Sequence, residues 1–384
     1  MSDMRYLHRA DLPTLFSAIR EAGYRLIGPR EETGQGGLVY REIDGVEDLP
    51  QGVRDSQAPG HYRLVKTGSA RCFAWANTAS AIKPYLYAPR EKLWRAVRKD
   101  GRVHFEAVER EAAKTAILGV RACDLAALEL QDAHFLQGAY VDPYYKARRE
   151  RLLLVAVNCT HAADTCFCAS TGDGPAAREG YDLLLDELEE GYLLRVGSER
   201  GAMIAADLPL QPASAAQQAE ASAQSEACAR QQQRALPSQQ RLQQLDALLE
   251  DARWTRIAER CLSCGNCTAV CPTCFCHREF EVPALDGKST EHWRDADSCF
   301  NEDHSYIVGE VVRHGSRERY RQWMTHKLFN WVPQYGRIGC TGCGRCTTWC
   351  PASIDFVLEA NVLLGLAAAP EVELPHVDGS EAAE

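Results

Sequence analysis

Two stretches decide how this chain reads: Cys261-Leu-Ser-Cys264-Gly-Asn-Cys267-Thr-Ala-Val-Cys271-Pro272 and Cys340-Thr-Gly-Cys343-Gly-Arg-Cys346-Thr-Thr-Trp-Cys350-Pro351. Each is C-x2-C-x2-C-x3-C-P, the run that binds 4Fe-4S clusters. Three cysteines at steps of three wrap a tight loop around one face of an iron-sulfur cube. The fourth, just before proline, begins a segment that leaves the loop and in two-cluster proteins ligates the other cube. The expected sets are therefore Cys261, Cys264, Cys267 and Cys350 for one cluster, and Cys340, Cys343, Cys346 and Cys271 for the other. A zinc site is the competing reading, but it takes two ligands from each of two knuckles. Here each run has three evenly spaced cysteines and a Cys-Pro.

Cys271 and Cys340 lie 69 positions apart, much further than a compact small ferredoxin requires. Between them, Ser316 to Trp331 has helical spacing, with Tyr320, Trp323, Met324, Leu328 and Trp331 on one stripe and Pro333 just beyond. This spacing predicts a helical ferredoxin domain whose aromatic core keeps water from the clusters. Arg260, Arg278, Arg337 and Arg345 flank ligand positions. They read either as ordinary exposed side chains or as cations that favour a reduced, more negative cube.

Working outward, 384 residues allow two or three domains, and 45% apolar with 25% charged residues is an ordinary globular mix. The net charge of -10 argues against a general nucleic-acid binder. The longest apolar runs, Leu152 to Val157 and Val362 to Ala369, are too short to span a bilayer. The opening MSDMRYLHRADLPTLF lacks an apolar core and a cleavage site, so it does not read as a signal peptide and a cytoplasmic location is expected. Seventeen cysteines in such a chain point to metal more than to disulfides.

Upstream, residues 11 to 28 read as a short helix with Asp11 as N-cap and Gly23 near its end. Gly37 to Glu42 is strand-like. Residues 114 to 121 and 152 to 158 are apolar runs suited to buried strands, and Asp124 to Leu136 between them has helical periodicity, so the two strands should be parallel. Tyr181 to Leu188 and Tyr192 to Val196 read as a hairpin. From Gln211 to Leu245 the composition turns to Ala, Gln and Ser, a linker or solvated helix in which function is not expected. The predicted class is α+β/α/β: an N-terminal α/β sheet domain over 1–210, a linker or helix over 211–250, a mainly helical two-cluster domain over 251–365, and a flexible acidic tail over 366–384.

Nine cysteines fall outside the two runs. Cys123 directly follows the first buried strand, and Cys159, Cys166 and Cys168 follow the second, so parallel strands would bring four sulfurs to one sheet edge, where α/β folds place ligands. A third 4Fe-4S site, a zinc site and a redox-active thiol pair are open readings, with Asp124 as a substitute for Cys123. Cys274, Cys276 and Cys299 form another trio, which either joins His277 or His304 or simply packs. Cys72 and Cys228 read as unremarkable thiols.

The segments VRACDLAAL (120 to 128), DPYYKARRE (142 to 150), VNCT with TCFCAS (157 to 170), CLSCGNCTAVCPTCFC (261 to 276), DSCF (297 to 300), RYRQWMTHK (319 to 327) and CTGCGRCTTWCP (340 to 351) resemble the iron-sulfur beta subunit of cytoplasmic NiFe sulfhydrogenases. They are equally similar to the A subunit of anaerobic sulfite reductase. The resemblance runs from about residue 75 to 360. It implies two 4Fe-4S clusters and an electron-transfer role between a flavin subunit that handles NAD(P)H and a hydrogenase or sulfite reductase subunit. A weaker likeness to the flavin-carrying beta subunit of deazaflavin-reducing hydrogenases, through Cys123 and the cysteines after Asn158, supports a third cluster and leaves open whether a flavin binds.

Gly34-Gln-Gly36-Gly37 is too short for a dinucleotide fingerprint and no P-loop occurs, so NAD(P)H chemistry is expected in a partner. The leading expectation is a relay subunit without substrate chemistry of its own. The alternative is a thiol, disulfide or sulfur reductase that uses the third cluster and the spare cysteines.

Overall fold

The computed structural model describes residues 4–32, 36–108 and 112–369. Gly34 and Gln35 of the short glycine run, and the tail from residue 370, lie outside the described residues. The described strands in chain order are β1 (Arg5–His8), β2 (Arg25–Glu32), β3 (Gly37–Glu42), β4 (Val53–Ala58), β5 (His61–Lys66), β6 (Arg90–Lys99), β7 (Arg102–Ala107), β8 (Thr115–Val120), β9 (Leu152–Val157), β10 (Leu183–Glu187), β11 (Gly191–Val196), β12 (Gln211–Pro212), β13 (His277–Pro283), β14 (Ser289–Ala296), β15 (Tyr306–Ile307) and β16 (Glu310–Val311).

An eight-stranded sheet runs β12-β1-β11-β10-β9-β8-β2-β3. Its centre is parallel, because β8 pairs with both β2 and β9, and β9 with β10. The runs TAILGV of β8 and LLLVAV of β9 are buried at every position, as a sheet covered on both faces requires. Helix Ala122–Leu136 starts two residues after β8, so Cys123 is delivered to the carboxyl edge of the sheet. The β10–β11 hairpin forms as expected from its turn residues.

The helix expected over 11 to 28 ends early, at Glu21, and residues 25–32 are strand β2. Gly23, at φ +83°, lets the chain reverse there, and pairing of β2 with β3 and β8 outweighs its local pattern. Helix Ser316–Thr325 continues into a wide turn over His326–Asn330, and the five stripe residues from Tyr320 to Trp331 are all buried. The interval between the cysteine runs also holds the β13–β14 hairpin. It joins β6 and β7 in a second sheet, ordered β13-β14-β6-β7, so residues before 110 and after 276 share one sheet. Its sequence signal is the Asp286-Gly287 turn between two alternating charged stretches.

Two cores result. One packs against the large sheet; the other gathers Trp254, Phe300, Trp323, Met324, Phe356 and Leu363 around the cysteine runs. The parts meet closely: Tyr62 of β5 stacks on Trp349 at 5.0 Å, and the Gly60 N–H donates to Thr347 O at 3.1 Å. None of the described helices is long and apolar enough to cross a membrane.

Candidate iron-sulfur centre

The two cysteine runs fold alike. Ser263 (φ +50°) and Gly265 (φ +75°) flank Cys264, just as Gly342 (φ +67°) and Gly344 (φ +75°) flank Cys343. A one-turn helix follows each, Asn266–Ala269 and Arg345–Thr348. The left-handed residues turn backbone N–H groups toward sulfur: Ser263 donates to Cys261, Gly342 to Cys340 and Arg345 to Cys343. Thr273 N–H donates to Cys271, and Ile354 N–H to Cys350 Sγ at 3.4 Å.

Cys261, Cys264, Cys267 and Cys350, together with Cys346 of the second run, line one pocket walled by Phe300, Tyr320, Trp323 and Phe356. Cys350 thus sits with the run 79 residues upstream of its own. Cys271 is the counterpart, since it is among the titratable neighbours of Cys340, Cys343 and Cys346, as well as of Cys267. Burial and mutual repulsion hold the thiols of Cys267 and Cys346 well above the ordinary cysteine range. A positive iron centre reverses that balance by stabilising thiolates, and backbone donors to sulfur add to it, so the donor set fits a cluster. Among the described residues, no three His, Cys, Asp or Glu side chains are grouped as a single metal ion requires.

Of the four flanking arginines, Arg278 is exposed, as one of the two readings expected, and the other three are at least partly buried. Each faces a carboxylate: Arg260 pairs with Glu359, Arg278 with Asp295 at 3.3 Å, Arg337 with Asp173 at 2.6 Å, and Arg345 with Asp124 at 2.7 Å. The cation that addresses sulfur is one the spacing did not single out, Lys327. Buried in the protein, it donates to Thr273 Oγ1 at 2.8 Å, and that hydroxyl lies 3.2 Å from the sulfur of Cys271. Burial alone would strip its proton, but the sulfurs of Cys271, Cys274 and Cys340 hold its pKa well above the usual lysine value.

The remaining cysteines form two groups. Cys159, Cys166 and Cys168 come together at the carboxyl edge of the sheet. Cys123 touches Cys168 and Cys343 instead, and Asp124 is occupied by Arg345. In the second group, Cys299 donates to Cys276, which also faces His304, while His304 Nδ1 lies 3.0 Å from Asp297 Oδ2. Cys274 instead donates to Cys271. His277 points elsewhere, toward Glu279 at 3.7 Å. A separate groove between helix Ala122–Leu136 and residues 172–180 is lined by both arginines and carboxylates.

A protein-family model described as 4Fe-4S dicluster domain matches residues 260–354. Over 361 residues, 92% of this chain and 97% of the relative, the sequence is 27% identical to sulfhydrogenase 2 subunit beta of Pyrococcus furiosus. No solved structure matches. Residues 260–354 therefore match a 4Fe-4S dicluster domain, and nearly the whole chain is similar to a sulfhydrogenase beta subunit.

Proposed function

We propose that this chain is the iron-sulfur relay subunit of an oxidoreductase complex. It would take single electrons from a flavin subunit that oxidises NAD(P)H and pass them to a NiFe hydrogenase or sulfite reductase partner, or run in reverse. The observation that supports the reading is that Cys350 lines one pocket with Cys261, Cys264 and Cys267 while Cys271 neighbours Cys340, Cys343 and Cys346, so each run would lend its fourth cysteine to the other run's cluster. Each cube, when bound, supplies a one-electron site. The chain's own residues do the rest. Four thiolates close each site against substrate, the aromatic wall excludes water, and backbone N–H groups and Lys327 offset negative charge. Similarity to a sulfhydrogenase subunit favours the hydrogenase partner.

Iron analysis of anaerobically purified protein tests this. About 8 irons with equal acid-labile sulfide are expected from the two quartets, and more if a further cluster binds. Zinc in place of iron overturns it. One observation favours a second reading, a thiol or disulfide reductase: the contact of Cys276 with both Cys299 and His304. Under that reading, replacing Cys276 abolishes reduction of a sulfur substrate while leaving iron content intact.

A further inference from the structure

We propose that Cys159, Cys166, Cys168 and Cys228 bind a third 4Fe-4S cluster, with Cys228 supplied by helix Ala215–Gln231 as the fourth ligand. The proposal rests on the relay reading only in that both need iron-sulfur assembly on this chain.

The helix is composed largely of Ala, Gln, Ser and Glu, and its two buried residues are Ala221 and Cys228, seven positions and two turns apart on one face. A solvated spacer has no need to bury a cysteine. Cys228 is 0% exposed and packs with Cys166, Ala76, Ala162 and Ala163, with Cys159 against the same group. Of the titratable groups near it, Cys159 and Cys168 act on it most, and Cys168 and Cys159 act most on Cys166. Cys123 has neither Cys159 nor Cys166 among its leading neighbours; its sulfur lies with Cys343 and Cys168.

Amide donors already serve this group. Gln232 Nε2, just past the helix end, donates to Cys168 Sγ at 3.3 Å, and Asn77 Nδ2 to Cys166 Sγ at 3.7 Å. Hydrogen bonds to sulfur are a principal means by which proteins tune iron-sulfur clusters. The helix end is fixed in register with the cysteine loop, because Gln231 Oε1 accepts from Ala162 N–H at 3.0 Å and Gln232 Oε1 from Ala169 N–H at 2.9 Å.

The placement suits a relay. Phe167 N–H donates to Gly342 O at 2.8 Å. A Cβ on Gly342 would fall 2.5 Å from Cys168 Cα. The second ferredoxin loop and the Cys166–Cys168 loop are therefore in backbone contact, and the proposed cluster would adjoin the one held by Cys340, Cys343 and Cys346.

The test is anaerobic purification of the full chain, of Cys228→Ala and of Cys123→Ala, with iron and sulfide counted and EPR recorded after reduction. The expected result is about 12 irons in the parent, about 8 in Cys228→Ala with the two ferredoxin signals intact, and about 12 in Cys123→Ala, at four irons per cube. A parent with about 8 irons, or with 8 irons and one zinc, overturns the third cluster and leaves the relay reading standing. Absence of iron overturns both. Full iron retention in Cys228→Ala, or loss in Cys123→Ala alone, overturns the ligand assignment. Should Cys228→Ala fail to fold, Mössbauer absorption of the iron-57-enriched parent decides, because two clusters instead of three overturn the proposal.

Discussion

Arg345 and Asp124 stand 221 positions apart and form a bidentate ion pair of 2.7 and 3.0 Å in which each side chain is 1% exposed. Arg345 Nε also donates to Thr78 O at 2.6 Å. The pair ties the helix at the sheet edge to the helix that starts at Cys346's own turn. Removing one partner leaves the other charge buried and uncompensated, which costs roughly 3–5 kcal/mol. Asp124→Ala should therefore lower the thermal unfolding midpoint sharply. Asp124→Ala combined with Arg345→Met should recover much of it. If the single variant melts with the parent, the pair is not a structural tie.

Lys327 makes a different electrostatic prediction. A cube ligated by four thiolates is negative and becomes more so on reduction. Replacing the buried ammonium beside Cys271 with an apolar side chain of similar length removes a charge that favours the reduced state. Lys327→Met should lower the midpoint potential of the cluster held by Cys340, Cys343, Cys346 and Cys271 more than that of the other cluster. EPR-monitored redox titration resolves the two. Equal shifts, or none, would place the lysine's charge elsewhere.

The extent to which the chain was legible follows from the range of each signal. The loops at Cys261–Cys271 and Cys340–Cys350 are local, with spacing, glycines and the following proline all within twelve residues, so their geometry could be read in advance. The parallel pair β8–β9 was legible too, because a strand buried on both faces shows as an unbroken apolar run. Lys327 and Cys228 were not. A lysine in a helix ordinarily reads as solvated, and only its tertiary contacts with Thr273 and Gly339 at the ligand loops show that it turns inward. Cys228 looked idle because its helix is polar and its partners lie 60 to 69 positions upstream. Hairpin β13–β14 was missed since its residues alternate in charge more than in apolarity.

Ligand exchange between the runs separates the clusters experimentally. Cys350 lines the cavity of Cys261, Cys264 and Cys267, whereas Cys271 neighbours Cys340. Cys350→Ala should broaden or abolish the EPR signal of the first cluster, and Cys271→Ala that of the second. An effect of Cys350→Ala confined to the cluster of its own run would rule out the exchange.

Gly344 tests how tightly the second loop must dock. It sits at φ +75°, and a Cβ there would lie 2.2 Å from Thr165 O, a backbone atom that cannot swing aside. Conformational strain alone is of the order of 1 kcal/mol, and the clash adds to it. Gly344→Ala should yield protein depleted in iron at the second cluster, while Gly336→Ala, also at positive φ but with nothing near its Cβ, should keep its full complement. Full iron in Gly344→Ala would show that contact with the Thr165 loop does not set a requirement for glycine, and equal depletion in both variants would assign it to backbone conformation instead.

The thiol of Cys276 is pushed down to about 4, chiefly by the hydrogen bond from Cys299, against the cost of burial, and further by His304. His304 is itself raised, first by its bond to Cys276 and then by Asp297. A depressed thiol is charged above its own pKa and loses that charge only as the pH falls through it. Alkylation of Cys276 by iodoacetamide should therefore stay nearly constant from pH 8 down to about 5, where an ordinary thiol of pKa near 8.5 is almost unreactive. Replacing His304 with Ala removes one stabilising donor and should move the profile toward higher pH, and Cys299→Ala should move it further. Mass spectrometry of the labelled peptide provides the readout. A rate that falls tenfold per pH unit across this range in the parent would show that Cys276 is held as a neutral thiol, and would remove the physical basis for sulfur chemistry at this position.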